Sequence, residues 1–161
     1  MYPEFSLSVQ YAVQAPELPR WRLRRWVGRA LQAALAPEAD APPQPVALTL
    51  RIVDEPEGRR LNSAWRRRDA ATNVLTFEYG CGPDGCLRAD IVLCLPVMAR
   101  EAASQGKPLQ QHAAHLVTHG VLHALGYDHV QDDEARAMEA LETRILAAQG
   151  IPDPYKIEAD G

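Results

Sequence analysis

Long apolar runs, lysine and paired cysteine are all scarce in this 161-residue sequence. No segment approaches the roughly 18–20 consecutive apolar residues that span a bilayer. The N-terminal residues Met1–Phe5 lack the basic stretch followed by an apolar stretch that marks a secretory signal peptide. We therefore expect a cytoplasmic protein with no membrane segment.

The three cysteines are Cys81, Cys86 and Cys94. An odd number without a secretory signal argues against a disulfide framework. Cys81 and Cys86 bracket a turn-like segment, residues 82–85. They could serve as a redox pair or as half of a metal site, or they could be two reduced thiols in a loop. We favour the two reduced thiols.

Basic charge is carried almost entirely by arginine, since Lys107 and Lys156 are the two lysines. The net charge of −4 argues against a surface that binds nucleic acid everywhere. Arginine suits phosphate because its planar guanidinium donates two hydrogen bonds at once. The arginines cluster at residues 20–29 and 59–68. We interpret the cluster at 20–29 as the solvated face of a helix. The acidic residues concentrate near the C-terminus and suggest an opposing acidic face: Asp132, Asp133, Glu134, Glu139 and Glu142.

The length fits one domain, residues 1–161, with its own core. The apolar periodicity predicts an α/β (α+β) fold in which a mixed sheet of about four strands packs with four to five helices. We expect a proline-rich loop at 37–45 and a flexible tail at 152–161. The predicted strands are 6–13, 46–53, 73–79 and 89–95, and the predicted helices are 18–35, 54–65, one from Pro96, 109–125, and one from Asp132 to Gly150.

The most informative segment is the one from His119 to His129. His119 and His123 are four residues apart, so on a helix both side chains project from one face. Gly126 ends the helix, and the chain can then fold back to offer His129 as a third ligand. Three histidines leave the fourth position of a tetrahedral zinc ion open, which is typical of catalytic sites. We predict one zinc ion per chain at the end of this helix.

The spacing of these histidines matches that of the metzincin proteases, but Gly120 stands where those enzymes have their glutamate base. The pattern therefore favours metal chemistry other than peptide hydrolysis. His112 and His115 lie on the same helical face. His115 is an alternative partner for His119, and we rank it as an outer neighbour because residues 119, 123 and 129 include the turn that closes a cup.

The segment His119–His129 resembles the signature H-G-x-L-H-x-x-G-Y-D-H of the YbeY family, bacterial endoribonucleases and ribosomal-RNA maturation factors. The resemblance implies that His119, His123 and His129 hold zinc and that Arg66, after Trp65, is the functional arginine. It also implies that Asp90 contacts a small-subunit ribosomal protein. The match runs from about Val46 to Tyr155, and its other elements are Leu61–Asn62, Asp69–Phe77, Asp90–Val92 and Asp132–Glu139.

The sequence departs from this family pattern at three positions: Arg67 and Ala89 replace glycines, and Glu78 replaces a proline. The resulting hypothesis is a zinc-dependent, single-strand-specific endoribonuclease that acts in ribosomal-RNA maturation and ribosome quality control. Arg66 would bind the scissile phosphate. The alternatives are a ribosome-assembly factor with a mainly structural metal, or another metal hydrolase such as a peptidase.

Overall fold

Strand and helix alternate twice at the start of the chain, and two strands and then three helices follow. This computed structural model describes residues 5–35, 45–66, 72–127 and 131–155. Within these ranges it contains four strands and five helices, as the sequence predicted. The strands are β1 (Phe5–Tyr11), β2 (Val46–Val53), β3 (Val74–Cys81) and β4 (Leu87–Cys94). The helices are α1 (Arg20–Ala34), α2 (Glu55–Arg66), α3 (Leu95–Ser104), α4 (Leu109–Ala124) and α5 (Asp132–Ala147).

The four strands form one mixed sheet in the order β1-β2-β4-β3. β2 runs parallel to both β1 and β4, and β3 runs antiparallel to β4 along the far edge. The parallel pairs require long connections, which α1 and α2 provide, whereas a short turn suffices between β3 and β4. The predicted mixed sheet is therefore confirmed.

Apolar side chains alternate between the two faces of the sheet and divide the core in two. The larger cluster lies under α1, α4 and α5 and includes Leu50, Ile91 and Leu122, all fully buried. The smaller cluster lies on the opposite face, where Val92 and Cys94 meet Leu61 of α2. The histidine-bearing helix α4 consequently lies on the face opposite α2.

Local signals in the sequence begin and end the helices as expected. The Asp54 carboxylate accepts a hydrogen bond from the Glu57 amide at 3.0 Å, which caps the start of α2. Gly126 adopts a φ of 98°, and the Tyr127 amide reaches back to the Leu122 carbonyl at 3.0 Å. This left-handed glycine turns the chain away at the end of α4, beside His123.

Two predicted irregular segments lie largely outside the described residues. Of the proline-rich loop 37–45, Pro45 alone is described. Of the tail 152–161, residues 152–155 are described, and Asp153 and Tyr155 are hydrogen-bonded back to Thr143 and Glu142 of α5.

Candidate metal centre

His119 and His123 project together from the second half of α4, as their spacing predicted. Their ring centroids are 4.7 Å apart and the rings are nearly perpendicular, at 72°. Both side chains are partly exposed, with 24 % of the His119 side chain open to solvent. Two imidazoles in this arrangement lie close enough to share one cation.

A buried carboxylate, Glu142 of α5, lies behind the histidines. Its side chain is fully buried, yet it has three hydrogen-bond partners. Its Oε1 lies 2.9 Å from His119 Nδ1, and its Oε2 lies 2.8 Å from His115 Nε2 and 2.5 Å from the Tyr155 hydroxyl. Burial alone would raise the pKa of Glu142, but the hydrogen bonds from His115, His119 and Tyr155 outweigh burial and lower the pKa to about 2. The group is therefore an ionised carboxylate at neutral pH.

The ionised carboxylate fixes where the proton of His119 lies. An ionised carboxylate only accepts hydrogen bonds, so His119 Nδ1 carries the proton that faces Glu142. In the neutral ring, Nε2 then carries no proton, which is the form of the nitrogen that coordinates a metal. A histidine ligand that donates its second ring proton to a carboxylate is the usual arrangement around protein-bound zinc. The donor set on this face of α4 thus fits a divalent metal.

His115 belongs to the same cluster but faces the carboxylate with its Nε2. Potential ligand atoms of His115, His119 and Glu142 all lie within 4.8 Å of one another, so these three residues are a second candidate set for a metal ion. The nitrogen–oxygen distances of 2.8 and 2.9 Å are shorter than the roughly 3.3 Å that separates ligands around a tetrahedral zinc with bonds of about 2.0–2.1 Å. These contacts are therefore hydrogen bonds in this structure, and the assignment of His115 as an outer neighbour stays a prediction.

The residues after α5 complete the cluster. The Asp153 carboxylate accepts a hydrogen bond from the Tyr155 amide at 2.8 Å and one from the Thr143 hydroxyl at 3.4 Å. This turn brings the Tyr155 ring against His115, with centroids 5.2 Å apart. Burial raises the pKa of Tyr155 most, and the hydrogen bond to the Glu142 carboxylate raises it further. The Tyr155 hydroxyl therefore stays protonated and donates a hydrogen bond to Glu142.

The other predicted site residues are placed only in part. His129 lies outside the described residues, and Arg66 is the last residue of α2, with its side chain outside them. Asp90 lies on β4, where its carboxylate accepts a hydrogen bond from the Tyr79 hydroxyl at 2.8 Å. Asp90 shares the α2 face of the sheet with Val92, so the sheet separates it from the histidines.

Sequence reasoning missed Glu142 as part of this site. It grouped Glu142 with the residues of an acidic face opposite the basic one, but the Glu142 side chain is fully buried. A signal was present: Glu142 falls within the apolar stripe of α5 formed by Met138, Leu141 and Ile145. A carboxylate within such a stripe indicates a buried partner.

Packing explains why Gly120 replaces the glutamate of the proteases. A Cβ atom at this position would lie 2.9 Å from Ile91 Cγ2 on β4. Gly120 thus faces the sheet rather than the histidines, and the contact leaves no room for a side chain.

The fold and this cluster define a class: a small α/β domain with a histidine–carboxylate centre that can hold a metal ion. A family model described as Endoribonuclease YbeY matches residues 9–150. A Bordetella pertussis protein named Endoribonuclease YbeY is 62% identical over 155 residues, covering 96% of this chain and 98% of its own. An Alkalilimnicola ehrlichii protein of the same name is 50% identical over 162 residues, covering 97% and 94%. The chain belongs to the YbeY endoribonuclease family.

A solved structure shows the same fold at low sequence identity. The solution structure of a Thermotoga maritima protein matches with a TM-score of 0.56 at 19% identity, covering 96% of this chain and 100% of that one. Within the described ranges, none of the helices is both long and apolar enough to cross a membrane.

Proposed function

We propose that this protein is a single-strand-specific endoribonuclease of the cytoplasm that acts in ribosomal-RNA maturation and ribosome quality control. One observation carries the proposal: Glu142 orients His119, whose ring lies beside that of His123, in a chain 62% identical to a protein named Endoribonuclease YbeY. The reaction is metal-assisted hydrolysis of a phosphodiester bond.

We assign one zinc ion per chain to His119, His123 and His129. Zinc, when bound, supplies a Lewis acid that polarises a phosphoryl oxygen or lowers the pKa of water. Glu142 holds the His119 ring in one orientation and one tautomer through the Nδ1 hydrogen bond. Tyr155 and His115 hold Glu142 in turn, so the carboxylate is restrained by three donors on two segments, α4 and the C-terminal turn.

Arg66 is proposed to bind the scissile phosphate and to stabilise its developing charge. It ends α2 and begins the run Arg66–Arg68, the densest basic run in the chain. A metal site that acts on RNA needs a positive partner for the phosphate in addition to the metal.

Asp90 is proposed to contact a protein of the small ribosomal subunit. It borders a hollow of about 280 Å³ on the sheet face beside α2, together with Arg51 and the exposed Tyr79. A carboxylate, a guanidinium and a tyrosine at one surface are suited to a polar protein interface. Because this face is opposite the histidines, a bound partner would leave the metal centre accessible.

The experiment that tests the activity is cleavage of an end-labelled single-stranded RNA and of a duplex with the same sequence. We expect the purified protein to cut the single strand and to spare the duplex. Removal of metal by a chelator, or the change His123→Ala, should abolish cleavage. Cleavage that survives both treatments would exclude the proposed metal-assisted mechanism.

Arg66→Ala should leave the fold and the metal content intact and should reduce RNA cleavage by about tenfold. A tenfold loss corresponds to the low end of the roughly 1.5–3 kcal/mol that a hydrogen bond to a charged group contributes. The low end applies because Arg67 and Arg68 can substitute in part. The matched control is Arg60→Ala, which removes an exposed arginine from the same helix. Equal, negligible effects of both changes would remove Arg66 from the site.

A further inference from the structure

A groove of about 930 Å³ lies away from the histidines, between α1 and the N-terminal ends of β1 and β2. Phe5, Val46 and the buried Gly28 form its apolar floor. Gly28 brings the helix close to Phe5, since a Cβ atom there would lie 3.4 Å from the Phe5 ring. The groove is large enough to accept a ligand of nucleotide size or larger.

One wall of the groove carries two exposed arginines, Arg24 and Arg25. Neither forms an ion pair with any acidic residue in the described part of the chain. The Arg24 guanidinium lies over the Phe5 ring, 4.5 Å from its centroid. This contact holds the charge at the groove while its hydrogen-bond donors remain available. Two such guanidiniums in a chain of net charge −4 create a local site for anions.

Trp21 adds an aromatic surface to the same groove. Its side chain is 60% exposed, although a tryptophan normally buries its large apolar area. Arg22 stacks on it with 4.9 Å between the guanidinium carbon and the ring centroid, which restrains the indole on the helix surface. Exposed arginines beside an accessible, restrained aromatic ring are the combination that binds single-stranded nucleic acid, phosphates on the cations and bases on the ring.

The groove and the metal centre lie at opposite ends of one helical layer. α1 packs against α4 and lies beside β1, whereas α4 packs on β4 and β3, at the other edge of the sheet. Three strand spacings separate β1 from β3, or about 14 Å. This value is the sideways separation of the two places across the sheet, and a strand of several nucleotides can span it, so one RNA molecule can reach both places.

We propose that this groove is a second binding site for single-stranded RNA, with phosphates on Arg24 and Arg25 and a base stacked on Trp21. The proposal rests on the proposed endoribonuclease function and extends it: the groove holds the strand away from the cleavage point. It replaces the expectation that the first arginine cluster is only a solvated helix face.

The experiment compares a labelled single-stranded RNA of about 20 nucleotides with a dinucleotide, which is too short to span both places. The variants are the double change Arg24→Gln with Arg25→Gln, Trp21→Ala, and Trp21→Phe, which keeps a ring. Arg100→Gln is the matched control, since it removes an exposed arginine from α3, away from the groove. Binding is measured by fluorescence anisotropy over a range of salt concentrations, and cleavage by steady-state kinetics.

We expect the double arginine change and Trp21→Ala each to weaken binding of the long RNA by about tenfold. KM should rise with kcat unchanged, and cleavage of the short RNA should stay as in the wild type. The double arginine change should also reduce the slope of log K against log salt by about 1.4, or about 0.7 for each phosphate that is no longer neutralised. Trp21→Phe should retain most of the binding, and Arg100→Gln all of it.

The proposal would be overturned if the double arginine variant bound the long RNA with the affinity and the salt dependence of the wild type. This holds whether or not the variant cleaves RNA. Variants that change only self-association would assign the groove to a second copy of the chain and would also overturn it. A wild-type protein that binds RNA through the groove but cuts none would contradict the proposed function alone. The two ideas can therefore fail separately.

Discussion

At the scale of single residues, the buried charge of Glu142 governs the arrangement of the metal centre. Removing a carboxylate from water is unfavourable, and three hydrogen-bond donors offset that cost here. The same hydrogen bonds determine the tautomer of His119 and position the ring of His115. One buried residue of α5 therefore positions two histidines on a neighbouring helix.

Glu142→Gln should weaken metal binding by about 10–100-fold, the usual effect of losing a carboxylate behind a histidine ligand. The neutral amide accepts a weaker hydrogen bond from His119 and no longer favours one tautomer. Competition with a chromophoric chelator measures the affinity, and a thermal melt checks that the variant folds. Glu139→Gln, an exposed change on the same helix, is the control. Unchanged metal affinity in Glu142→Gln would show that the carboxylate does not position a ligand.

The two candidate ligand sets predict opposite behaviour of His115 and His123. If zinc is held at His119, His123 and His129, His123→Ala should lose most of the metal, because two remaining ligands hold zinc poorly. His115→Ala should keep about one zinc per chain, with affinity reduced through Glu142. Elemental analysis of the purified variants measures the metal content. Full occupancy in His123→Ala with loss in His115→Ala would instead assign the metal to His115, His119 and Glu142.

At the scale of secondary-structure elements, the close packing of α4 on the sheet places the histidines. Gly120 lies one residue beyond His119 and faces Ile91, so the helix approaches β4 without an intervening side chain. The left-handed Gly126 then turns the chain two residues after Ala124, the last residue of the helix. Both glycines belong to the histidine motif, and each has a role in placing it.

Gly120→Ala should destabilise the protein by about 1 kcal/mol. Overpacking the contact with the sheet costs roughly 1–3 kcal/mol, whereas the higher helix propensity of alanine stabilises the helix by up to about 1 kcal/mol. Gly28→Ala in α1 is the control, since its Cβ would meet Phe5 at an ordinary contact distance of 3.4 Å. That change should be neutral or stabilising. Urea denaturation of both variants measures the difference, and equal stabilities would contradict the close contact.

At the scale of the whole molecule, a polar cluster around Glu101 joins α3, α4 and the residue that precedes β3. Its carboxylate lies 2.8 Å from His112 Nε2 on α4 and accepts a hydrogen bond from the Asn73 amide group at 3.0 Å. The His112 side chain is only 5% exposed. Burial lowers the pKa of His112, and the hydrogen bond to Glu101 opposes that shift without overcoming it. Lys107 and His115 also lower the pKa of His112.

The lowered pKa of His112 makes stability depend on pH. The unfolded chain binds the proton at higher pH than the folded chain does, so stability is complete above the unfolded pKa of about 6.5 and falls as the pH drops below it. His112→Gln should flatten the stability curve between about pH 7.5 and 5 by at most about 1.4 kcal/mol per pH unit. Urea denaturation in the presence of a chelator measures the free energy of unfolding at each pH. Subtracting the curve of the variant from that of the wild type removes the contribution of the other histidines, which both proteins share. Parallel curves would contradict the shift.

The sequence alone determined the order and type of the elements, and it placed two histidines of the candidate metal centre on one face of a helix. Apolar alternation predicted β1, a continuous apolar run predicted β4, Asp54 predicted the start of α2, and Gly126 predicted the end of α4. The histidines His119 and His123 were found because both lie on one helix, where spacing along the chain sets spacing in space. These features are local, so a short stretch of sequence contains the information that defines them.

The tertiary structure decided the features that depend on contacts between distant residues. Glu142 was expected to be a surface acid, although it lies against residues 23 and 27 positions away in the chain, His119 and His115. The position of Asp90 on the face opposite the histidines depends on the order of strands in the sheet. The aromatic and arginine groove likewise joins α1 to the first residues of β1 and β2. Composition and periodicity do not encode such pairings, because they are set only when helices and strands pack into one core.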